Sequence, residues 1–534
     1  MNKHALPLQR FGLGLVLVML LVACTSQPTA APTMVVTNTE VVNTPVPTGP
    51  KAGGTLRLMA IVDVSQQAGL DPAQARTQSQ WVIGDLVFET LVEVTPSGEI
   101  VPGLAKSWLI SDDGLSYTFE LQSGVTFHNG RAMTAEDVKY SIERVANPET
   151  ASPRLNNYSS LESVEVVDDD TVIIHLNAPF SPLLATLSHV TAAIVPQEEV
   201  AKADFGSHPV GTGAFQVTEW VRDERWVLDA YDSYWQPNLP YLDQIVITFN
   251  GDDNARIAAL RSGDIDMLLQ VPVQFVDALQ DSPTKQIFGA DQMGLSWQHL
   301  ALNTQRPPFD DVRVRQAIAL ALNRQELATI GKGAYSEPRS GSFLPSWHWA
   351  ANNEEVWTQD VEQARALLEQ AGQGAGFPMQ LLVVSGFDFQ TRTAEAIQQQ
   401  LSPLGIEVSI ETADFGTVAS AAGEGAFDGI VLVFSPVFDP NDRVQQTFVT
   451  GAGLNWSKYS SPRVDELANE ARVALDQTTR AELYRELQRV AFEDAAWVSL
   501  YMYNNFDGLQ AYVKDYVYYP QFYYRSLRSV WLDQ

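Results

Sequence analysis

The sequence contains few of the residues on which several classes of protein depend. Its 534 residues include one cysteine, so no disulfide is expected within the chain. Lys and Arg together number 34 against 64 Asp and Glu, which gives a formal net charge of -30. A surface with this charge repels the phosphates of nucleic acids, so we expect no nucleic-acid partner. It also repels anionic lipid headgroups, so charge alone is not expected to hold the protein on a membrane.

The motifs of common enzyme classes are also missing. There is no Gly-x-Ser-x-Gly elbow, no phosphate loop and no dinucleotide fingerprint. The seven histidines are scattered, and none forms a His-x-x-x-His pair or a comparable set of metal ligands. Acidic runs such as Asp168–Asp170 stand at positions typical of exposed loops. We therefore expect no catalytic residues, no metal and no other cofactor.

The position of the single cysteine indicates its role. Cys24 ends the run Leu21-Val22-Ala23-Cys24, which follows a cationic start and a short apolar core, Phe11–Val22. This core is shorter than the roughly 20 apolar residues of a membrane-spanning helix and is typical of a secretory signal. The run resembles a bacterial lipobox, whose cysteine is diacylated and becomes the mature N-terminus. We therefore predict a signal peptide over residues 1–23 and lipidation at Cys24, with the protein tethered outside the cytoplasmic membrane.

The rest of the chain predicts a stalk followed by a large α/β body. Residues 24–52 are rich in Thr and Pro and lack a helical apolar stripe, so a disordered stalk is expected. Helices are predicted after the capping residues Thr134, Asp360 and Ser461, the second over Val361–Gln370 with Gly372 at its end. Strands are predicted at Ser116–Leu121, Thr171–Leu176, Ile245–Phe249, Leu381–Val384, Val408–Glu411 and Ile430–Phe434.

Two further strand-like segments, Trp297–Asn303 and Trp497–Tyr503, alternate aliphatic residues with aromatic or polar ones. A strand sends alternate side chains to opposite faces of a sheet. Each segment can therefore bury its aliphatic face and present residues such as Trp297 and Tyr501 to a cleft. The alternative interpretation is an ordinary core strand with large aromatic residues.

Four blocks of sequence follow one another along the chain. They include Leu70-Asp71-Pro72 and VPGLAKSW at 101–108, PVGTGAF at 209–215 and RSGDID at 261–266, PPFDDVRVRQAI at 307–318, and finally Phe427-Asp428-Gly429, Asp439-Pro440 and Asn455-Trp456. In this order they resemble the family-5 extracellular solute-binding proteins of ABC transporters, which include oligopeptide- and dipeptide-binding lipoproteins. The resemblance covers nearly all of the chain after the signal peptide.

The resemblance implies a two-lobed α/β fold of the periplasmic-binding-protein type (type II, cluster C) with an extra subdomain in the first lobe. The first lobe would take residues 53–300 and 501–534, with the subdomain at about 85–208, and the second lobe residues 301–500. The segments Trp297–Asn303 and Trp497–Tyr503 would then be hinge strands at the lobe boundaries. Such a protein is a monomer that encloses a peptide or a similar-sized solute and delivers it to an ABC permease.

The sequence departs from the family pattern at one informative position. In the family's peptide binders, an aspartate shortly before an Asp-Pro step holds the ligand's ammonium. Alignment on Asp439-Pro440 places Ser435-Pro436 there, and Asp439 itself is interpreted as structural. Arg392, near the start of a helix predicted over Thr393–Leu401, stands about where dipeptide binders place a carboxylate-binding arginine. The other expected ligand-binding residues are Phe387, Phe389, Phe415, Phe434, Ser435, Phe438, Asp439, Asn455, Trp456, Trp297 and Tyr501.

Other functions fit the same pattern. The same fold also supports a receptor for a sugar, an opine-like compound or a metal chelate, and the absence of the ammonium-binding acid favours these ligands. An enzyme on a binding-protein scaffold, and a surface signalling or chaperone-like protein, are alternatives of other classes.

Overall fold

Strands and helices alternate along the chain, as the sequence predicts. The computed structural model describes residues 49–64, 69–289, 296–435 and 437–534, so Cys24, most of the stalk and Pro436 lie outside the described residues. The strands are β1 Thr55–Ala60, β2 Val92–Val94, β3 Ile100–Pro102, β4 Ala105–Ile110, β5 Ser116–Leu121, β6 Leu161–Asp168, β7 Thr171–Leu176, β8 Phe215–Val221, β9 Arg225–Ala230, β10 Gln244–Phe249, β11 Met267–Leu268, β12 Lys285–Phe288, β13 Ser296–Leu302, β14 Ser336–Pro338, β15 Pro378–Val384, β16 Glu407–Ala413, β17 Gly429–Phe434, β18 Trp497–Tyr503, β19 Asp507–Gln510, β20 Val513–Lys514 and β21 Trp531–Leu532. The helices are α1 Gln78–Val87, α2 Ala135–Ala146, α3 Leu183–Leu187, α4 Gln197–Val200, α5 Asp253–Ser262, α6 Val276–Gln280, α7 Val312–Ala321, α8 Arg324–Lys332, α9 Val361–Gln370, α10 Asp388–Leu401, α11 Phe415–Glu424, α12 Pro440–Arg443, α13 Pro462–Val473 and α14 Gln477–Glu493.

Capping residues fix the ends of several helices. The backbone N–H of Gln363 donates to the carboxylate of Asp360 at 2.8 Å, and α9 begins directly after this cap. Gly372 adopts a φ of +75° just beyond the helix end, a conformation that glycine reaches without strain. Ser461 caps α13, with Pro462 as its first residue. The predicted starts of these helices, and of α2 after Thr134, are confirmed.

A seven-stranded sheet forms the core of the first lobe. Its strand order is β12-β19-β11-β1-β10-β9-β8, with β1 parallel to both β10 and β11. In β1, Leu56, Leu58 and Ala60 are buried while the residues between them are partly exposed, so the predicted alternation places one face on the core. A separate four-stranded antiparallel sheet, β4-β5-β7-β6, packs against α2 within residues 105–176. This small sheet falls inside the range expected for an inserted subdomain.

A six-stranded sheet of order β14-β18-β13-β17-β15-β16 forms the core of the second lobe. The two segments expected as hinge strands are interior strands of this sheet, β13 and β18, which pair antiparallel. All seven residues of each strand are buried, so neither presents the expected amphipathic face to a cleft. Leu300 joins one hydrophobic core and Trp297 another, because both faces of this sheet are covered.

The chain passes from one sheet to the other at two places. The first lies between β12 and β13, that is between Phe288 and Ser296, and the second lies between Tyr503 and Asp507. The boundaries expected at 300/301 and 500/501 fall inside β13 and β18. Residues Pro50–Gln534 form one compact unit. In the part of the chain that the structure describes, we find no helix with the length and apolar character needed to cross a membrane.

Candidate ligand-binding cleft

A cavity of about 50 Å³ lies where the two lobes meet. One wall consists of Trp81 on α1, the segment 182–189 around α3, and residues 521–523 near the C-terminus; the other wall is residues 437–442 of the second lobe. A second cavity, of about 440 Å³, is lined by residues 322–359 of the second lobe alone. The smaller cavity is the candidate for a ligand site because both lobes contribute to it.

An ion pair closes one side of this cavity. The guanidinium of Arg154, in the inserted subdomain, contacts the carboxylate of Asp442 on α12. Asn157 Nδ2 donates to Asp442 Oδ1 at 2.7 Å. The side chains of Arg154 and Asp442 are only 13% and 19% exposed. Burial alone would raise the pKa of Asp442, but the charge and hydrogen bond of Arg154 outweigh burial and hold that pKa below its usual range.

Other contacts also join the lobes across the cleft. The ring of Phe438 stacks on Tyr523 with centroids 5.9 Å apart and planes within 9°. The backbone N–H of Ser181 donates to the carbonyl of Arg472 at 3.0 Å. With the ion pair, these contacts hold the lobes together around a cavity far smaller than the roughly 300–1,000 Å³ of a typical ligand pocket. A ligand of peptide size therefore requires the lobes to move apart before it enters.

The acids near the Asp-Pro step already have partners. Asp439 caps α12 through the N–H of Asn441 at 2.9 Å and accepts two hydrogen bonds from Arg480 Nη2 at 2.8 and 2.9 Å. These contacts agree with the structural role expected for Asp439. Asp414 likewise caps α11, accepting from the backbone and the hydroxyl of Thr417.

Two cations lie together on the face of the second lobe near α10. Arg392 donates to the carbonyl oxygens of Ile330 at 3.3 Å and Gly331 at 3.4 Å. Helix α10 begins at Asp388, earlier than the predicted Thr393, so Arg392 stands in its second turn and not at its N-terminus. The N-terminal dipole therefore adds less to an anion site at Arg392 than the sequence suggests.

The second cation, Lys332, was not expected from the sequence. Its ammonium lies 3.7 Å from the ring centroid of Phe389 and 4.4 Å from that of Tyr503. Burial first and the charge of Arg392 second lower the pKa of Lys332 to about 7, while Asp253 on α5 of the first lobe opposes the shift. Among the described residues, neither Lys332 nor Arg392 forms an ion pair with a carboxylate, so this patch is suited to an anion.

Several expected site residues are buried inside the second lobe. Trp297 is buried and donates from Nε1 to Ser499 Oγ at 2.9 Å. Tyr501 is buried with its hydroxyl 2.9 Å from Thr393 Oγ1. Phe434 is buried beneath the guanidinium of Arg443, 4.2 Å from the ring centroid. All three side chains are buried in this arrangement, and their role in ligand binding stays a prediction.

The remaining expected residues lie elsewhere on the second lobe. Phe387 and Phe389 lie beside the Lys332 patch, and Phe387 is 44% exposed. Phe415, at 61% exposure, approaches the buried Trp456. Asn455 Nδ2 donates to the carbonyl oxygens of Val449 and Tyr459, which makes it a loop-stabilising residue. Ser435 is exposed and lies just before residues 437–442, which form the second-lobe wall of the cavity. Its carbonyl oxygen accepts a hydrogen bond from Arg443.

The structure adds residues that sequence reasoning missed. Trp81, Arg154, Asp442 and Tyr523 meet at the cavity from four distant parts of the chain. None of them belongs to a recognisable motif. Only Asp442 lies near one of the family-like sequence blocks, three residues after Asp439 of the Asp-Pro step. No cluster of three or more His, Cys, Asp or Glu placed to hold a metal occurs in the described ranges.

Comparison with known proteins identifies the family. The model for bacterial extracellular solute-binding proteins, family 5 (middle region), matches residues 99–456. The chain belongs to this family. Its members are extracytoplasmic substrate-binding components of ABC transporters and not enzymes, which confirms the resemblance read from the four sequence blocks.

Individual relatives agree over most of the chain. The glutathione-binding protein GsiB of Salmonella paratyphi A is 29% identical over 449 residues, covering 81% of this chain and 86% of the relative. The structure of AgaA from A. tumefaciens R10, in complex with agropinic acid, superposes with a TM-score of 0.81 at 27% identity, over 90% of this chain and 99% of that one. The structure of DppA from Helicobacter pylori, in complex with the peptide STSA, superposes with a TM-score of 0.79 at 28% identity. The match covers 91% of this chain and 99% of that one. The predicted two-lobed α/β class is confirmed.

Proposed function

We propose that this protein is a lipid-anchored receptor that captures a peptide or a solute of similar size between its lobes and delivers it to an ABC permease. The observation that carries the proposal is the cavity lined from both lobes and closed by Arg154 and Asp442. A ligand bound there favours the closed arrangement because it contacts both walls at once. Cys24, which lies outside the described residues, would supply the membrane anchor through its acyl chains.

The charges around the cleft indicate what kind of solute fits. Arg392 and Lys332 are two cations that form no ion pair with a carboxylate among the described residues. A carboxylate of the ligand would form that ion pair. Asp439 and Asp442 each form an ion pair with an arginine, and Ser435-Pro436 stands where peptide binders have an ammonium-binding acid. We therefore propose a ligand that carries a carboxylate and does not depend on a free α-ammonium.

A non-peptide ligand is the second candidate, in the same fold. The occupied acids favour it, since a free peptide N-terminus would leave its charge unpaired in a closed cleft. Among the relatives, AgaA binds agropinic acid whereas DppA binds the peptide STSA, so this fold accommodates both kinds of ligand.

The experiment is calorimetric titration of the ligand-free protein with glutathione, Ser-Thr-Ser-Ala and agropinic acid, together with native mass spectrometry of the protein as purified. We expect one solute per protein and no chemical conversion of that solute. A protein that binds none of the three and retains no solute on purification would contradict the proposal. Conversion of a bound solute would instead favour the enzyme alternative.

A further inference from the structure

Three residues that line the interlobe cavity carry buried polar atoms that the protein does not pair. Trp81 Nε1, both amide atoms of Gln521 and Asn441 Oδ1 are buried without a hydrogen-bond partner among the described residues. All three side chains line the same cavity. Asn441 and Gln521 are 1% and 6% exposed. Buried polar atoms are nearly always paired in folded proteins, so four unpaired atoms on residues that line one cavity require an explanation.

The charged groups around this cavity are already compensated. Arg154 and Asp442 form an ion pair, and Asp439 is held by Arg480. His189 also lines the cavity, and burial lowers its pKa well below the usual value, so the imidazole is neutral. A charged group of a ligand would therefore find no uncompensated opposite charge here.

The unpaired atoms are two donors and two acceptors. Trp81 Nε1 and Gln521 Nε2 donate, whereas Gln521 Oε1 and Asn441 Oδ1 accept. A carboxylate can only accept hydrogen bonds, so it would leave the two acceptors without partners. An ammonium can only donate, so it would leave the two donors without partners. An amide supplies one acceptor and one donor and finds partners of both kinds.

We propose that this cavity is a subsite for an uncharged group of the ligand that both donates and accepts hydrogen bonds, as a peptide amide does, with Trp81, Gln521 and Asn441 as its partners. The inference rests on the proposed function, in which the ligand binds between the lobes. The volume agrees, because about 50 Å³ exceeds the roughly 10–15 Å³ that one water needs and admits a group of a few heavy atoms. The charged end of the ligand would then lie elsewhere in the cleft, beside Arg392 and Lys332.

The first test needs no ligand. Gln521→Leu removes an amide that has no partner in the protein, and Gln488→Leu removes a buried amide that has three: Ser342 Oγ at 2.5 Å and the carbonyl oxygens of Ala350 and Tyr484 at 2.8 and 2.9 Å. We expect the Tm of the ligand-free protein to rise or hold in Gln521→Leu and to fall clearly in Gln488→Leu. A fall in Gln521→Leu as large as that in Gln488→Leu would overturn the proposal, since it would show that Gln521 is bonded within the protein.

The second test is affinity for whichever of glutathione, Ser-Thr-Ser-Ala and agropinic acid binds. We expect Gln521→Leu and Trp81→Phe each to weaken binding about three- to tenfold. The matched controls are Gln488→Leu and Trp357→Phe. The Trp357 indole lies away from the cleft and donates to the carbonyl oxygen of Phe492 at 2.7 Å. Both control variants should bind the ligand within twofold of the parent protein. Unchanged affinity in both cleft variants would overturn the subsite. If none of the three compounds binds, the proposed function fails for these ligands. The Tm comparison still decides whether the amide of Gln521 lacks a hydrogen-bond partner in the protein.

Discussion

The ion pair between Arg154 and Asp442 should control how far the lobes stay together without ligand. Asp442→Asn keeps the size of the side chain but leaves the Arg154 guanidinium buried in the closed arrangement without its counter-charge. Removing one partner of a buried ion pair costs about 3–5 kcal/mol. Because both groups would be hydrated in an open state, this cost falls on the closed state. Even the lower figure changes the ratio of closed to open molecules on the order of 100-fold.

Small-angle X-ray scattering of ligand-free protein measures this effect as the radius of gyration. We expect Asp442→Asn to have a larger radius than the parent protein. The double variant Arg154→Met with Asp442→Leu removes both charges and should stay closer to the parent, because apolar residues often replace a buried pair without loss. Glu93→Gln is the matched control, since Glu93 pairs with Arg528 at 2.7 and 2.8 Å wholly within the first lobe. It should lower thermal stability without changing the radius.

The pH dependence of the radius follows from the lowered pKa of Asp442. The contribution of the pair is complete above the ordinary aspartate value of about 4 and is lost as the pH falls through the lowered pKa. The radius should therefore stay constant between pH 5 and 8 and increase only in stronger acid. Equal radii for the parent and Asp442→Asn at neutral pH would refute the reasoning, because the pair would then not hold the lobes together.

Three further outcomes are expected. Cys24→Ser should release the protein from membranes and abolish fatty-acid labelling; a variant that stays membrane-bound would contradict the anchor. Because Lys332, with a pKa of about 7, loses its charge as the pH rises, an anionic ligand should bind more weakly at pH 8.5 than at pH 6, and Lys332→Met should remove this difference in calorimetry. Arg392→Ala should weaken an anionic ligand about tenfold and a neutral one much less, and equal losses for both would argue against a charge interaction.

Local signals in the sequence predicted the elements that local contacts stabilise. The start of α9 follows from Asp360, whose side chain binds the helix it precedes. Helix α10 begins at Asp388, five residues before the predicted Thr393, because its N-cap is Phe387, whose side chain has no polar atom to cap a helix. A helix that begins without a capping side chain lacks this signal in the sequence, and here the N–H of Gln390 donates to the carbonyl of Phe387 at 2.9 Å.

The alternation in strand β13 of the second lobe shows a different limit of prediction from sequence. Leu300 and Trp297 do point to opposite faces of β13, as the pattern predicts. The sequence does not show that each face is covered by its own hydrophobic core. An alternating strand with aromatic residues on one face can therefore pack entirely inside a lobe, as the buried Trp297 and Tyr501 do.

Blocking a ligand's α-ammonium tests how these contacts change when the lobes move. Asp388, Asp414 and Asp439 are the nearest candidates to replace the missing acid, and the last two are held by contacts within the second lobe. Asp442 differs because its partner Arg154 lies across the cleft, so opening would free its carboxylate for a ligand cation. If acetylation of a confirmed peptide ligand costs little, as we expect, Asp442 stays with Arg154 in the bound state. If acetylation costs tenfold or more, and Asp442→Asn removes that difference, the ligand's ammonium has displaced Arg154, and calorimetry on the two peptides with both proteins distinguishes these cases.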